Sequence, residues 1–309
     1  MASPKSKIYP DKDDFPSAMS SSIVSSEIEA EIKYLATEIY GSPSMEKLYQ
    51  YQGYWYLKSD LQGVIAVQKW CARNKSSDDL GASRSDVVLA TFPKCGTTWF
   101  KALIFCIMNK NLGDAHLEES LRCHSPHDFA KWLEYYGYKN HDNPIPSTKI
   151  LSTHMPYSAL PGLIKDSTTP IVYVSRDPKD NVVSLWHFLN KMKGRDTPGI
   201  ELDKVFYSFC NGVSHYGPFW DHTLSYWHAS LESPHKVLFL RYEDMIASPV
   251  IHISRLANFI GHPFTIEEEK MGLKERIIDI CSFDKLTSYA ANQSHKVKPI
   301  TPSLGQLQC

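Results

Sequence analysis

A chain of 309 residues, 42% hydrophobic and 12% aromatic, has enough apolar surface for one large globular domain. Its formal net charge of -1 provides no global basic field for nucleic acid or an anionic membrane, so any anion site has to be local. Seven cysteines form no CxxC pair, and no apolar run approaches the roughly 18 residues of a membrane helix, which points to reduced thiols in a cytoplasmic protein.

Residues 1–48 are Ser-rich and mixed in charge, which predicts a flexible N-terminal segment with one helix over residues 26–37. Asp11, Asp13 and Asp14 without an early apolar core argue against a signal or transit peptide. The aromatic run Tyr49–Tyr56 reads as a packing element, and residues 61–71 as an amphipathic helix before a polar connector. Residues 86–91 are apolar and β-branched without helical period, so they predict a buried strand. Pro93, Lys94, Cys95 and Gly96 break it, and Thr97 and Thr98 open an apolar helix. A strand, a tight loop with a lysine and a helix N-terminus together form a phosphate-binding arrangement. The first-turn amides and the helix dipole face the anion, and Lys94 adds a full charge.

Residues 111–147 hold one predicted helix, over 127–136. Residues 149–153 predict a strand that delivers His154, and residues 170–175 one that delivers Arg176. Asp177 and Pro178 are an N-cap and a first-turn proline for a helix to about Met192. Helices over 202–210 and 220–231, a strand over 236–240, and helices over 251–260 and 267–280 follow. The alternation predicts a single α/β domain over 49–289, with a central, mostly parallel sheet flanked by helices, and a divergent tail over 290–309. Ligands of such sheets bind at the carboxyl ends of the strands, where Lys94, His154 and Arg176 each fall.

The string FPKCGTTW, residues 92–99, lacks the GxxxxGK[ST] spacing of a kinase P-loop. It resembles the 5′-phosphosulfate loop of the cytosolic sulfotransferases, written YPKSGTTW, with Phe92 and Cys95 in place of Tyr and Ser. STHMP, residues 152–156, resembles the family's KTHLP motif, with Ser152 in place of lysine, and RDPKDNVVSLWHF resembles its 3′-phosphate motif. The YQGYW and PFWDH runs are similar to the plant branch. The resemblance implies a co-substrate, 3′-phosphoadenosine 5′-phosphosulfate (PAPS), and no metal. By the same resemblance, Lys94, Cys95, Gly96, Thr97 and Thr98 hold the 5′-phosphosulfate, Arg176 and Ser184 the 3′-phosphate, and Trp99, Tyr216 and Phe283 the adenine. His154 becomes the general base, with Lys94 stabilising the leaving phosphate, in transfer to a hydroxyl of a small, largely apolar acceptor such as a flavonoid or steroid. An imidazole suits that task near neutral pH, and an arginine fork suits a phosphate.

The resemblance runs from about Tyr49 to Leu286. The family's C-terminal RKG…GDW motif does not occur before Cys309, so the chain reads as truncated against the family. A PAPS- or PAP-binding protein with little turnover is the alternative, and a P-loop kinase the remoter one. Cys95, in an amide-rich loop beside Lys94, is expected to have a lowered pKa and to alkylate fastest of the thiols.

Overall fold

A computed structural model of the protein describes residues 21–39, 47–74, 86–140, 144–192 and 198–289. The predicted tail over 290–309 lies outside the described residues. The N-terminal part forms an antiparallel sheet of β1 (Thr37–Ile39), β2 (Lys47–Tyr51) and β3 (Tyr54–Leu57) in that order. The second sheet holds β4 (Val87–Thr91), β5 (Ala130–Trp132), β6 (Ile150–Thr153), β7 (Ile171–Ser175) and β8 (Val237–Arg241). All its pairings are parallel, and the order is β5-β6-β4-β7-β8. The fold is therefore the expected α/β domain.

Helices cover both faces of the parallel sheet, so its strands are apolar on both sides. Val88 and Ala90 of β4 face one cluster, with Tyr173 and Phe92. Val87 and Leu89 face the other, against Phe100, Leu103 and Ile104 of the helix Thr97–Met108. Central β4 is flanked by β6, with Ala90 opposite Thr153, and by β7, with Thr91 opposite Val174. The residues that follow these three strands are thus brought to one sheet edge.

Several elements differ from the sequence expectation. The first helix spans Ser21–Ile32 rather than 26–37, and buried Ile28 and Ile32 pack it into the core. Residues 1–48 are therefore not loose throughout. The aromatic run is a hairpin, turned at Gln52 (φ 51°) and Gly53 (φ 84°) as a two-residue connection requires. It docks through Trp55, whose N–H donates to Gly217 O (3.0 Å) and whose carbonyl accepts from Tyr216 N–H (2.6 Å). In place of one helix over 127–136 there are a short helix Pro126–Phe129, strand β5 and a helix Leu133–Lys139. The helix predicted over 267–280 is broken into Ile266–Lys270 and Leu273–Ile280 at left-handed Gly272 (φ 69°).

Candidate active site

The loop between β4 and the helix Thr97–Met108 is shaped by two left-handed residues, Lys94 (φ 70°) and Gly96 (φ 90°). A lysine in that region is strained, as residues often are at functional sites. Glycine at 96 has a second cause. A Cβ there would lie 2.7 Å from Cδ2 of Tyr242, closer than such atoms pack. The loop is held from outside by Arg176, whose guanidinium donates to Lys94 O (3.2 Å), and by Asn181, whose amide donates to Pro93 O (2.8 Å). Amides of the first helical turn have no acceptor within a helix and remain available for an anion.

Positive charge gathers around this loop. Burial lowers the Lys94 pKa, and the neighbouring charges of Lys191 and Arg176 lower it further. The Lys94 ammonium stands 4.4 Å from the Phe188 ring centroid. Arg176 lies over the Tyr242 ring at 4.9 Å, and Trp99 meets the same ring edge-on at 5.5 Å. The Arg176 Nε is buried without a hydrogen-bond partner among the described residues. Mutual repulsion and an orphaned buried N–H are costs that a bound anion would relieve. Ser184 is half-buried on the helix Pro178–Met192, two turns from Arg176.

On the other side of β4, His154 follows β6. Its Nδ1 lies 2.5 Å from Thr91 O and 3.1 Å from Thr91 Oγ1. A carbonyl only accepts, so Nδ1 carries the hydrogen and Nε2 keeps its lone pair. Burial holds the His154 pKa well below 6.5, and the nearby His215, His222 and Lys101 push the same way. Neutral imidazole is the form that can take a proton. The His154 backbone is held at both ends: its N–H donates to the buried carboxylate of Glu134 (2.7 Å), and its carbonyl is 2.8 Å from His222 Nε2. Trp132 (4.3 Å) and Tyr216 (5.2 Å) stand edge-on to its ring. Thr97 Oγ1 lies 2.7 Å from Thr91 Oγ1, which links the loop to the histidine's anchor.

The structure therefore brings Lys94, Gly96, Thr97, Thr98, Trp99 and Arg176 together around one loop, with His154 beside it. Four residues sit differently from the expectation. Cys95 is fully buried, its N–H donates to Phe92 O (3.2 Å), and its sulfur accepts from the Asn181 amide (3.3 Å). Burial pushes the thiol up to about 12, so the expected reactive thiolate is wrong. The left-handed turn at Lys94 points the next side chain into the core. The Thr97 hydroxyl shares a hydrogen bond with Thr91, while its first-turn amide stays available to an anion. Tyr216 is buried against Tyr56 (5.4 Å) and His154, not against Trp99. Phe283, at the start of the helix Phe283–Ser288, is 78% exposed.

Sequence reasoning missed Glu134, Lys101, His127, Trp132 and Tyr242. Only Lys101 carried a local signal, a charge inside the apolar run WFKALIFCIM. Glu134 is held down by a close helix crossing, because a Cβ on Gly63 would meet its carbonyl oxygen. A groove of about 670 Å³ lined by Gln52, Gln68 and Ser158 contains none of the residues of this site.

An α/β sheet edge with a cationic loop, a helix N-terminus and a neutral histidine suits a phosphorylated ligand held beside a group that can accept a proton. The family model for the sulfotransferase domain matches residues 84–304. Cytosolic sulfotransferase 6 of Arabidopsis thaliana is 42% identical over 254 residues, covering 80% of this chain and 74% of its own. Cytosolic sulfotransferase 13 of the same plant is 38% identical over 282 residues, covering 90% and 83%. A solved Arabidopsis thaliana putative steroid sulphotransferase superposes with a TM-score of 0.69 at 34% identity, over 90% of this chain and 92% of its own. A mouse sulfotransferase complexed with PAP shares the fold, with a TM-score of 0.56 at 23% identity over 80% of this chain and 78% of its own. The chain belongs to the sulfotransferase family, in its plant-type cytosolic branch, whose donor is PAPS. The relatives' names place them in the cytosol, in keeping with the cytoplasmic expectation. Among the described residues no helix is long and apolar enough to cross a membrane.

Proposed function

We propose that this chain moves the sulfuryl group of PAPS to a hydroxyl of a small, largely apolar acceptor, a flavonoid, a steroid or a similar plant metabolite. The observation that carries the reading is the cationic cluster of Lys94, Arg176 and Lys191 around a helix N-terminus, one strand away from a neutral histidine. His154 Nε2 takes the acceptor's proton as the acceptor oxygen bonds to sulfur. The bond from sulfur to the phosphate oxygen breaks, and its electron pair leaves on that phosphate, where Lys94 and the first-turn amides meet the charge. Gly96, Thr97 and Thr98 hold the 5′-phosphate, with Cys95 contributing through its place in the loop rather than through its sulfur. Arg176 and Ser184 take the 3′-phosphate, and Trp99 and exposed Phe283 take the adenine.

The rings of Trp132 and Tyr216 beside His154 support an apolar, flat acceptor, and the contact of Tyr216 with His154 supports a role for it at the acceptor end rather than at the adenine. The steroid in the name of the 34%-identical neighbour agrees with that chemistry. The test is labelled-sulfate transfer from PAPS across a panel of steroid and flavonoid hydroxyls, with PAP binding measured in parallel. Transfer to at least one class supports the reading. PAP binding with transfer to none would make the chain a nucleotide-binding protein without turnover.

A further inference from the structure

Lys101 sits one turn after Thr98 on the helix Thr97–Met108, on the same face, and is buried to 1% exposure. Among the described residues no carboxylate lies within ion-pair distance of it. Its ammonium is 3.2 Å from His127 Nδ1 and 4.7 Å from the Trp132 ring centroid. The other nitrogen of His127, Nε2, is 3.2 Å from Thr98 Oγ1. His127 is itself fixed from two sides. A capping box ties its short helix, with Ser125 N–H donating to Asp128 (2.8 Å), and Phe129 stacks on Phe105 at 3.8 Å.

These contacts have one direction. In its charged form, which an anion bound at the first turn favours, Lys101 has donors and no acceptor, so His127 Nδ1 then accepts from it. The hydrogen of the neutral imidazole then lies on Nε2 and is donated to Thr98 Oγ1. With its oxygen already accepting, Thr98 is left with its own O–H to donate outward, to whatever lies at the first turn of the helix. We propose that Lys101 and His127 are positioning residues that orient the Thr98 hydroxyl as a donor to the 5′-phosphate of the nucleotide and place a second, buried positive charge behind it. The inference rests on the reading of Thr98 as a 5′-phosphate ligand.

The energetics support a functional origin. A buried ammonium without a counter-charge is costly, and burial lowers the Lys101 pKa to about 7 even though Glu134 and Asp128 act to raise it. A methionine would fill the same space, and replacing a buried charge by an apolar side chain is often neutral or stabilising. Folding alone gives no reason for a lysine here.

Calorimetric binding of PAP to the full chain tests the relay, with thermal midpoints recorded for every variant. Thr98→Val and His127→Ala should each weaken binding roughly three- to tenfold, the range of one hydrogen bond. The double variant should bind no more weakly than Thr98→Val alone, because His127 acts through Thr98. His127→Gln, whose amide N–H can reach Thr98, should recover most of the loss, and Lys101→Met should weaken binding at an unchanged or higher thermal midpoint. Losses that multiply in the double variant, or a wild-type Kd in His127→Ala, would overturn the relay. If Thr98→Val and Lys94→Met both keep the wild-type Kd, the phosphate reading of the loop fails, and the relay with it.

Discussion

Gly96 packs closely against Tyr242, and Gly96→Ala probes that contact directly. Two costs follow from the structure. Alanine at φ 90° pays roughly 1–2 kcal/mol for the left-handed backbone. Its Cβ would also lie 2.7 Å and 2.9 Å from two ring atoms of Tyr242, an overpacking worth about 1–3 kcal/mol. At roughly 2.1 cal/mol/K of unfolding entropy per residue, a chain of 309 residues loses about 1.5 °C per kcal/mol, so the thermal midpoint should fall by about 3–8 °C. The functional effect should be larger than the thermal one. Tyr242 is the surface on which Arg176 and Trp99 rest, and displacing it moves two nucleotide-binding groups together. PAP affinity should drop by about tenfold or more, the range of a lost charge-assisted contact. Repeating the substitution in a Tyr242→Ala background removes the clash and leaves only the backbone cost, about 1–2 kcal/mol. Equal destabilisation in both backgrounds, or an unchanged midpoint and Kd in Gly96→Ala itself, would refute the packing described for the loop.

Two further outcomes follow from burial. With a thiol alkylating reagent and mass spectrometry, exposed Cys210 should be modified well before buried Cys95, and faster labelling at Cys95 would contradict the packing of its sulfur. Burial raises the Glu134 pKa from 4.5 to about 7, so its stabilising neutral form is complete below about pH 4.5 and its contribution is lost as pH rises through 7. The cost to the folded state grows between those limits and reaches about 3 kcal/mol above pH 7, a cost that Glu134→Gln does not incur. Urea midpoints of both proteins at pH 5 and pH 8 check this, and identical pH dependence would count against it.

What was legible in the sequence follows from how local the determinants are. β4, β6, β7 and β8 are short apolar runs bounded by turns, and the helix Pro178–Met192 begins with its own Asp-Pro signal, so each could be read from adjacent residues. The hairpin β2–β3 could not, because aromatics on both of its faces hide the two-residue period. β5 has only three residues between two helices. In the site, the strand-end residues Lys94, His154 and Arg176 follow from the parallel-sheet rule, whereas Glu134, His127 and Trp132 act on partners 20 or more residues away in sequence. Cys95 failed for a different reason. Its direction is set by the left-handed backbone at Lys94, which no neighbouring residue announces.

The central claim, that His154 is the base acting on the acceptor while the loop around Lys94 holds the nucleotide, is tested most directly by His154→Ala. Labelled-sulfate transfer and PAP affinity should be measured on the same preparation. General-base catalysis contributes typically ~10²–10⁴-fold, so transfer should fall by at least about a hundredfold while the PAP Kd stays within about twofold of wild type. Transfer at the wild-type rate, or a tenfold loss of PAP affinity, would contradict the assignment.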